Sequence, residues 1–83
     1  PKYPYDLIFI DPPYAEISRL GAQIFKLLNK KNFLTPDGRV IFEGPGEQVL
    51  QFTGWKLDKV LGKEKRGSPV HRVYRIAHPL PDQ

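Results

Sequence analysis

Asp11-Pro12-Pro13-Tyr14 is the stretch of this 83-residue chain whose residue types are best suited to chemistry. The Asp11 carboxylate and the carbonyls of Asp11 and Pro12 are hydrogen-bond acceptors, and Pro13 contributes no N–H. The peptide between the prolines therefore presents acceptors without a competing donor. Such a cluster suits a substrate NH2 group, because accepted hydrogen bonds hold the nitrogen and favour a lone pair aimed at an electrophile. Tyr14 adds a flat face on which a nucleobase can stack, a contact worth about 1–3 kcal/mol in nucleic-acid complexes. Taken alone, Asp-Pro-Pro also ends a strand and lets Asp11 cap a helix. The strand before it and the aromatic after it favour the chemical reading.

The elements that must hold this loop follow from the pattern on either side. Tyr5-Asp6-Leu7-Ile8-Phe9-Ile10 ends in four consecutive apolar residues, which reads as a strand buried on both faces, the habit of parallel sheets. The loop leaves its carboxyl end, where ligands of open parallel sheets bind. Ile17, Leu20, Ile24, Leu27 and Leu28 recur at helical spacing, with Arg19, Gln23, Lys26 and Lys30 opposite, so an amphipathic helix covers the sheet. Thr35-Pro36-Asp37-Gly38 has the chemistry of a turn. Arg39-Val40-Ile41-Phe42-Glu43 completes a βαβ unit with parallel strands. Gly44-Pro45-Gly46 ends that strand, and Glu47 to Phe52 has room for a short helix of about two turns. Trp55 to Leu61 and Val70 to Ile76 are strands, and the polar link Lys63 to Pro69 makes them an antiparallel hairpin. In the last strand Val70, Arg72, Tyr74 and Ile76 share one face and His71, Val73, Arg75 and Ala77 the other. Neither face is purely apolar, which places it near an edge. The tail from His78 to Gln83 reads as irregular.

Composition limits what this scaffold can be. Hydrophobic residues make up 40% of the chain and charged residues 27%, with one Trp, four Tyr and five Phe, enough for a single domain with a core of marginal size. No cysteine occurs, which excludes disulfides and thiolate metal sites as sources of stability. Methionine is absent as well, and the expectation is a piece of a longer chain. No apolar run approaches the roughly 20 residues of a membrane span and no leader pattern stands at the start, so a cytoplasmic location without membrane contact is expected. Residues 1–54 are neutral, with six basic and six acidic side chains, whereas residues 55–78 carry seven basic against two acidic, giving +5. A polyanion partner and a solvated lysine-rich hairpin both fit that asymmetry. Within it, Lys63, Lys65, Arg66 and Ser68 either grip phosphates or are solvated loop residues. His71 and His78 are the only imidazoles and no metal site is expected. Trp55 reads as a core or edge anchor, and Glu43 either lines the cleft or holds the loop above the sheet.

Tyr5 through Tyr14 resembles motif IV of the S-adenosylmethionine-dependent amino-methyltransferases, which act on exocyclic amines of adenine or guanine. The later order is similar to the C-terminal half of the RsmD-like ribosomal RNA guanine-N2 methyltransferases: a helix, the Pro36-Asp37-Gly38-Arg39 turn, a strand ending in Glu43, then Trp55 and a hairpin bearing Gly67-Ser68 and Tyr74. The resemblance implies an α/β fold, the C-terminal half of a Rossmann-like class I methyltransferase sheet, made of strand-helix-strand, a short helix and an antiparallel hairpin. It implies that Asp11 and Pro12 bind the target amine at the methyl end of S-adenosyl-L-methionine, that Pro13 and Tyr14 contact the base, and that most of the cofactor site lies outside this chain. Gly44-Pro45-Gly46 lacks the Gly-x-Gly-x-x-Gly spacing and stands at the wrong end of the order to supply it. The expected partners are ribosomal RNA or another nucleic acid, and a missing N-terminal half or a second copy added at the sheet edge. DNA adenine methylation and a non-catalytic fragment remain the alternatives.

Overall fold

The computed structural model describes residues 4–63 and 65–77, so Glu64, His78 and the tail lie outside the described residues. The elements are β1 (Tyr5–Ile10), a single 3-10 turn (Tyr14–Glu16), α1 (Ile17–Lys30), β2 (Leu34–Pro45), β3 (Trp55–Leu61) and β4 (Pro69–Ile76). They form a mixed α/β fold with one four-stranded sheet in the order β1-β2-β4-β3. β1 and β2 are parallel, joined through α1, and β3 and β4 pair antiparallel. The βαβ unit and the hairpin are thus as their patterns require.

Four expectations change. β2 begins at Leu34 rather than Arg39, and the Thr35-Pro36-Asp37-Gly38 segment interrupts it as an irregularity: pairing jumps from Tyr5↔Leu34 to Leu7↔Arg39. Proline and glycine break the ladder there but do not end the strand. Second, Glu47 to Phe52 is not helical. Its carbonyls are drawn sideways, Gln48 O to Arg72 Nη2 at 2.6 Å and Leu50 O to the Tyr74 hydroxyl at 2.6 Å. Leu50 and Phe52 are both buried, two residues apart, a spacing that an extended segment satisfies and a helix does not.

Third, β4 is central, between β2 and β3. Its Arg72, on the core face with Val70 and Tyr74, is 2% exposed and satisfies its charge in part by donating to backbone carbonyls. A charged residue on a core face mimicked an edge pattern. Fourth, β1 is the outermost strand among the described residues, and Leu7 and Phe9 are each 58% exposed. Its alternate residues Ile8 and Ile10 pack against the core. One face of β1 is covered by α1 and the other is open.

The helix buries Ile17, Gly21 and Phe25, whereas Leu27 is exposed. Phe25 is the centre of the core. Its ring stacks on Phe52 at 4.3 Å and meets Trp55 edge-on at 4.9 Å, Tyr74 at 5.1 Å and Phe42 at 5.5 Å. A side chain at Gly21 would place its Cβ 2.8 Å from Phe52 Cζ, so the glycine sets how closely α1 approaches. Trp55 is a core anchor: its indole N–H donates to the Phe25 carbonyl at 3.2 Å.

Burial pushes the Tyr74 phenol up to about 12, against a smaller opposing pull from Arg72. Below pH 10 the phenol is protonated in folded and unfolded chains alike. Between pH 10 and about 12 only the unfolded chain releases the proton, so the contribution of Tyr74 to stability is lost as pH rises through that window. Tyr74→Phe should cost about 1 kcal/mol at neutral pH through the lost hydrogen bond and should lessen the alkaline decline. Urea midpoints measured across pH check both effects, and an unchanged alkaline slope would count against them.

Candidate active site

The path from β1 into α1 explains the shape of the loop. Pro12 is buried at the sheet rim, while Asp11 and Pro13 are exposed. Pro13 is extended, with φ −62° and ψ 135°, the conformation its ring imposes. Its carbonyl accepts the Glu16 N–H at 3.3 Å, closing the 3-10 turn. Buried Ile17 then pins the helix start into the core. The Asp11 carboxylate takes up no hydrogen bond or ion pair from the described residues, so it is available to a ligand and does not cap the helix.

Tyr14 sits half exposed at the mouth of a cavity of about 340 Å³ whose walls include Ile17, Ser18 and Gln48. Gln48 Nε2 donates to Ser18 Oγ at 3.3 Å, tying the segment after β2 to the helix. Desolvation, and then the negative charges of Glu43, Asp11 and Glu47, push the Tyr14 phenol above its ordinary value of 10.0, with Arg72 opposing. Tyr14 therefore stays a neutral phenol at any physiological pH, with three carboxylates around it. Such a collar favours cationic or amine-bearing ligands over free anions at this spot.

Glu43 does not end β2, which pairs on to Pro45; it lies near the end of that strand, 3.5 Å from His71 Nε2. The His71 ring contacts Phe9 at 5.5 Å. Arg72 holds the segment after β2, with Nη2 donating to Pro45 O at 2.9 Å as well as to Gln48 O. Gly46 is equally constrained. Its N–H donates to Ser68 O at 2.8 Å, and a Cβ there would lie 2.9 Å from backbone atoms of Lys65 and Ser68. Gly44-Pro45-Gly46 thus ends β2, at Pro45, and also forms a close seam between that strand and the hairpin connection.

The remaining candidates separate from Tyr14. Lys65 and Arg66 line a second cavity of about 960 Å³, whose lining shares only Gln48 with the first. Lys63 is exposed and lines neither cavity, and Ser68 meets Gly46 through its backbone carbonyl. Charge in the last third is also partly spent. Asp58 pairs with Arg39 at 3.4 Å and Arg75 at 3.7 Å over the open sheet face, and Arg72 is buried. Arg72, Glu47 and Gln48 were not legible as site residues; only the position of Arg72 on the face of Val70 and Tyr74 hinted at it.

Among the described residues no group of three or more His, Asp or Glu is placed to hold a metal ion, and no helix is long and apolar enough to cross a membrane. The family model described as "Conserved hypothetical protein 95" matches residues 1–75. The chain is similar to the solved structure described as "putative methylase HI0767 from Haemophilus influenzae", with 27% identity and a TM-score of 0.68 over 89% of this chain. It spans 40% of the length of that structure. No curated protein matches.

Proposed function

The chain belongs to the family described as conserved hypothetical protein 95, and from that premise we propose that it carries the amine-aiming part of a nucleic-acid methyltransferase, acting on guanine-N2 of small-subunit ribosomal RNA. The observation that carries the reading is the uncommitted, exposed Asp11 carboxylate at the carboxyl end of a parallel strand, followed by two prolines and a half-exposed Tyr14. The methylase description of the Haemophilus structure supports it.

S-adenosyl-L-methionine supplies the electrophilic methyl group when bound, and the acceptors of Asp11 and Pro12 fit the methyl end of that site. The Tyr14 ring stacks on a base drawn out of its strand, a step that enzymes acting on bases require. Asp11 and the Pro12 carbonyl accept hydrogen bonds from the exocyclic amine and direct its lone pair. Near-attack geometry needs the reacting atoms about 3–3.5 Å apart. That lone pair would take the methyl group of S-adenosyl-L-methionine bound there, which leaves as the neutral thioether, and the methylated amine would release its proton to solvent, so Asp11 orients and needs no strong basicity.

Assays of donor-derived methyl incorporation into assembled small subunits, naked ribosomal RNA and duplex DNA test the reading. Transfer to duplex DNA adenine alone would replace it. Tyr14→Phe should retain most transfer, because the stacking face remains, whereas Tyr14→Ala should cost about 1–3 kcal/mol of base binding. Equal loss in both variants would mean the hydroxyl, not the ring, is used.

A second reading rests on β1. A parallel strand with Leu7 and Phe9 exposed on an outermost position favours a companion that adds to it, either further chain or a second copy. In that reading the chain binds no cofactor unaided and associates without catalysing.

A further inference from the structure

We propose that the cavity of about 960 Å³ between the 46–53 segment and β3 is a binding site for a single-stranded phosphodiester segment, separate from the Tyr14 cavity. Its walls combine the two surfaces such a ligand needs. Lys56, Lys65 and Arg66 stand exposed at the cavity, with Glu47 the one acid among the described residues that line it, while Leu50, Phe52, Trp55 and Leu57 give an apolar floor. Cations match phosphates, and apolar surface accepts sugar and base.

A second, independent feature points to an anion. Arg72, which also lines this cavity, is 2% exposed, and its Nη1 is buried without a hydrogen-bond partner. No carboxylate among the described residues pairs with it. A buried charge without a counter-charge is costly, and its field is weakly screened by solvent. An anion in the cavity supplies the missing counter-charge. The Arg72 guanidinium also holds the cavity wall through Pro45 and Gln48, so the wall and the charge come from one side chain.

The proposal deepens the function argued above by placing the strand that flanks the target base. The 46–53 segment separates the two cavities and contributes to both, with Gln48 in each lining. A strand lying against Lys65 and Arg66 is held through its backbone, and its neighbouring base is left to the Tyr14 side. Contacts of this kind fix register and carry no sequence information.

Titration of the 83-residue chain with an oligouridylate pentamer, followed by amide NMR and by the fluorescence of the single Trp55, tests the site. The expected result is shifts at residues 46–53, Trp55 and Leu57, affinity that falls with salt, and binding weakened on the order of tenfold by Lys65→Ala with Arg66→Ala. Those two residues are exposed, so circular dichroism of the double variant should match the parent. An oligothymidylate pentamer distinguishes the sugars: equal binding assigns a strand of either kind, and preference assigns one. Uridine binding as tightly as the pentamer, a pentaglutamate peptide shifting the same amides with equal affinity, shifts confined to other regions, or an unaffected double variant would each overturn the proposal. Asp11→Ala, titrated alongside, should bind the pentamer normally, so loss of the methyl-transfer reading and loss of this site give different results.

Discussion

Methyl transfer by a form of this protein that turns over is expected to fall about 10²- to 10³-fold on Asp11→Ala, with donor affinity nearly unchanged. The size follows from what is removed. Asp11 is exposed and committed to no other partner among the described residues, so its loss leaves no buried group unsatisfied and the fold intact. What disappears is one of the acceptors proposed to aim the amine. Misplacement of a reacting group by about 1 Å costs roughly 10²-fold, and loss of one preorganised polar contact at a reacting centre costs up to about 10³-fold. Calorimetry with S-adenosyl-L-methionine and single-turnover transfer separate affinity from rate. Wild-type transfer by the variant would remove Asp11 from the mechanism and with it the main support for the assignment. The same calorimetry on the unsubstituted chain addresses the β1 reading, since tight stoichiometric binding by these 83 residues alone contradicts a need for a companion.

Phe25→Ala is expected to destabilise the fold by about 3–5 kcal/mol, a large share of the stability of a domain this size. Phe25 is 1% exposed and its ring touches Phe42, Phe52, Trp55 and Tyr74. Those four rings come from β2, the 46–53 segment, β3 and β4, so the truncation opens a cavity where all parts of the molecule meet. The indole of Trp55 reports it directly, because its N–H donates to the Phe25 carbonyl. Urea denaturation followed by Trp55 emission should show a lower midpoint, and a variant within about 1 kcal/mol of the parent would contradict the placement of Phe25 at the centre. Leu27→Ala is the matched control. Leu27 is 48% exposed, and its removal from the same helix should cost far less.

The contrast between Phe25 and Leu27 shows where reading the chain stops. Both fit a helix with an apolar side, and periodicity selected Ile17, Leu20, Ile24, Leu27 and Leu28 because they are aliphatic at the expected spacing. Of these Ile17 is buried and Leu28 packs against the core, but the buried stripe continues from Ile17 through Gly21 and Phe25, rotated toward the side on which a glycine permits close approach to Phe52. Which side of an amphipathic helix faces inward depends on the partner surface. Here that surface is aromatic and comes from residues up to about fifty positions away.

The loop Asp11-Pro12-Pro13-Tyr14 was legible for the opposite reason. Proline restriction, a strand before it and a helix after it are local properties, and they alone place Asp11 and Tyr14 at a strand's carboxyl end. The βαβ unit and the hairpin were legible on the same grounds, from apolar runs and turn chemistry a few residues long. The short helix over Glu47 to Phe52 failed because backbone carbonyls there bond side chains of Arg72 and Tyr74, 24 residues on in each case. Charge behaved likewise. The +5 of residues 55–78 is set by composition, yet Arg72 is buried and Arg75 shares Asp58 with Arg39. Lys56, Lys59, Lys63, Lys65 and Arg66 are the basic side chains left exposed in that region.

By itself the amino-acid order determined the acceptor-rich loop, the strand that carries it and the parallel and antiparallel pairings around it, since each depends on neighbours in the chain. Only the tertiary structure decided that β4 is central, that Arg72 is a buried cation holding the seam after β2, and that Tyr14 and the basic hairpin face two different cavities. Those outcomes depend on strand order, which brings Phe42 opposite Arg72 and Gly46 against Ser68. Contacts between residues more than 20 positions apart leave no local pattern, and in this fold they govern the walls of both cavities.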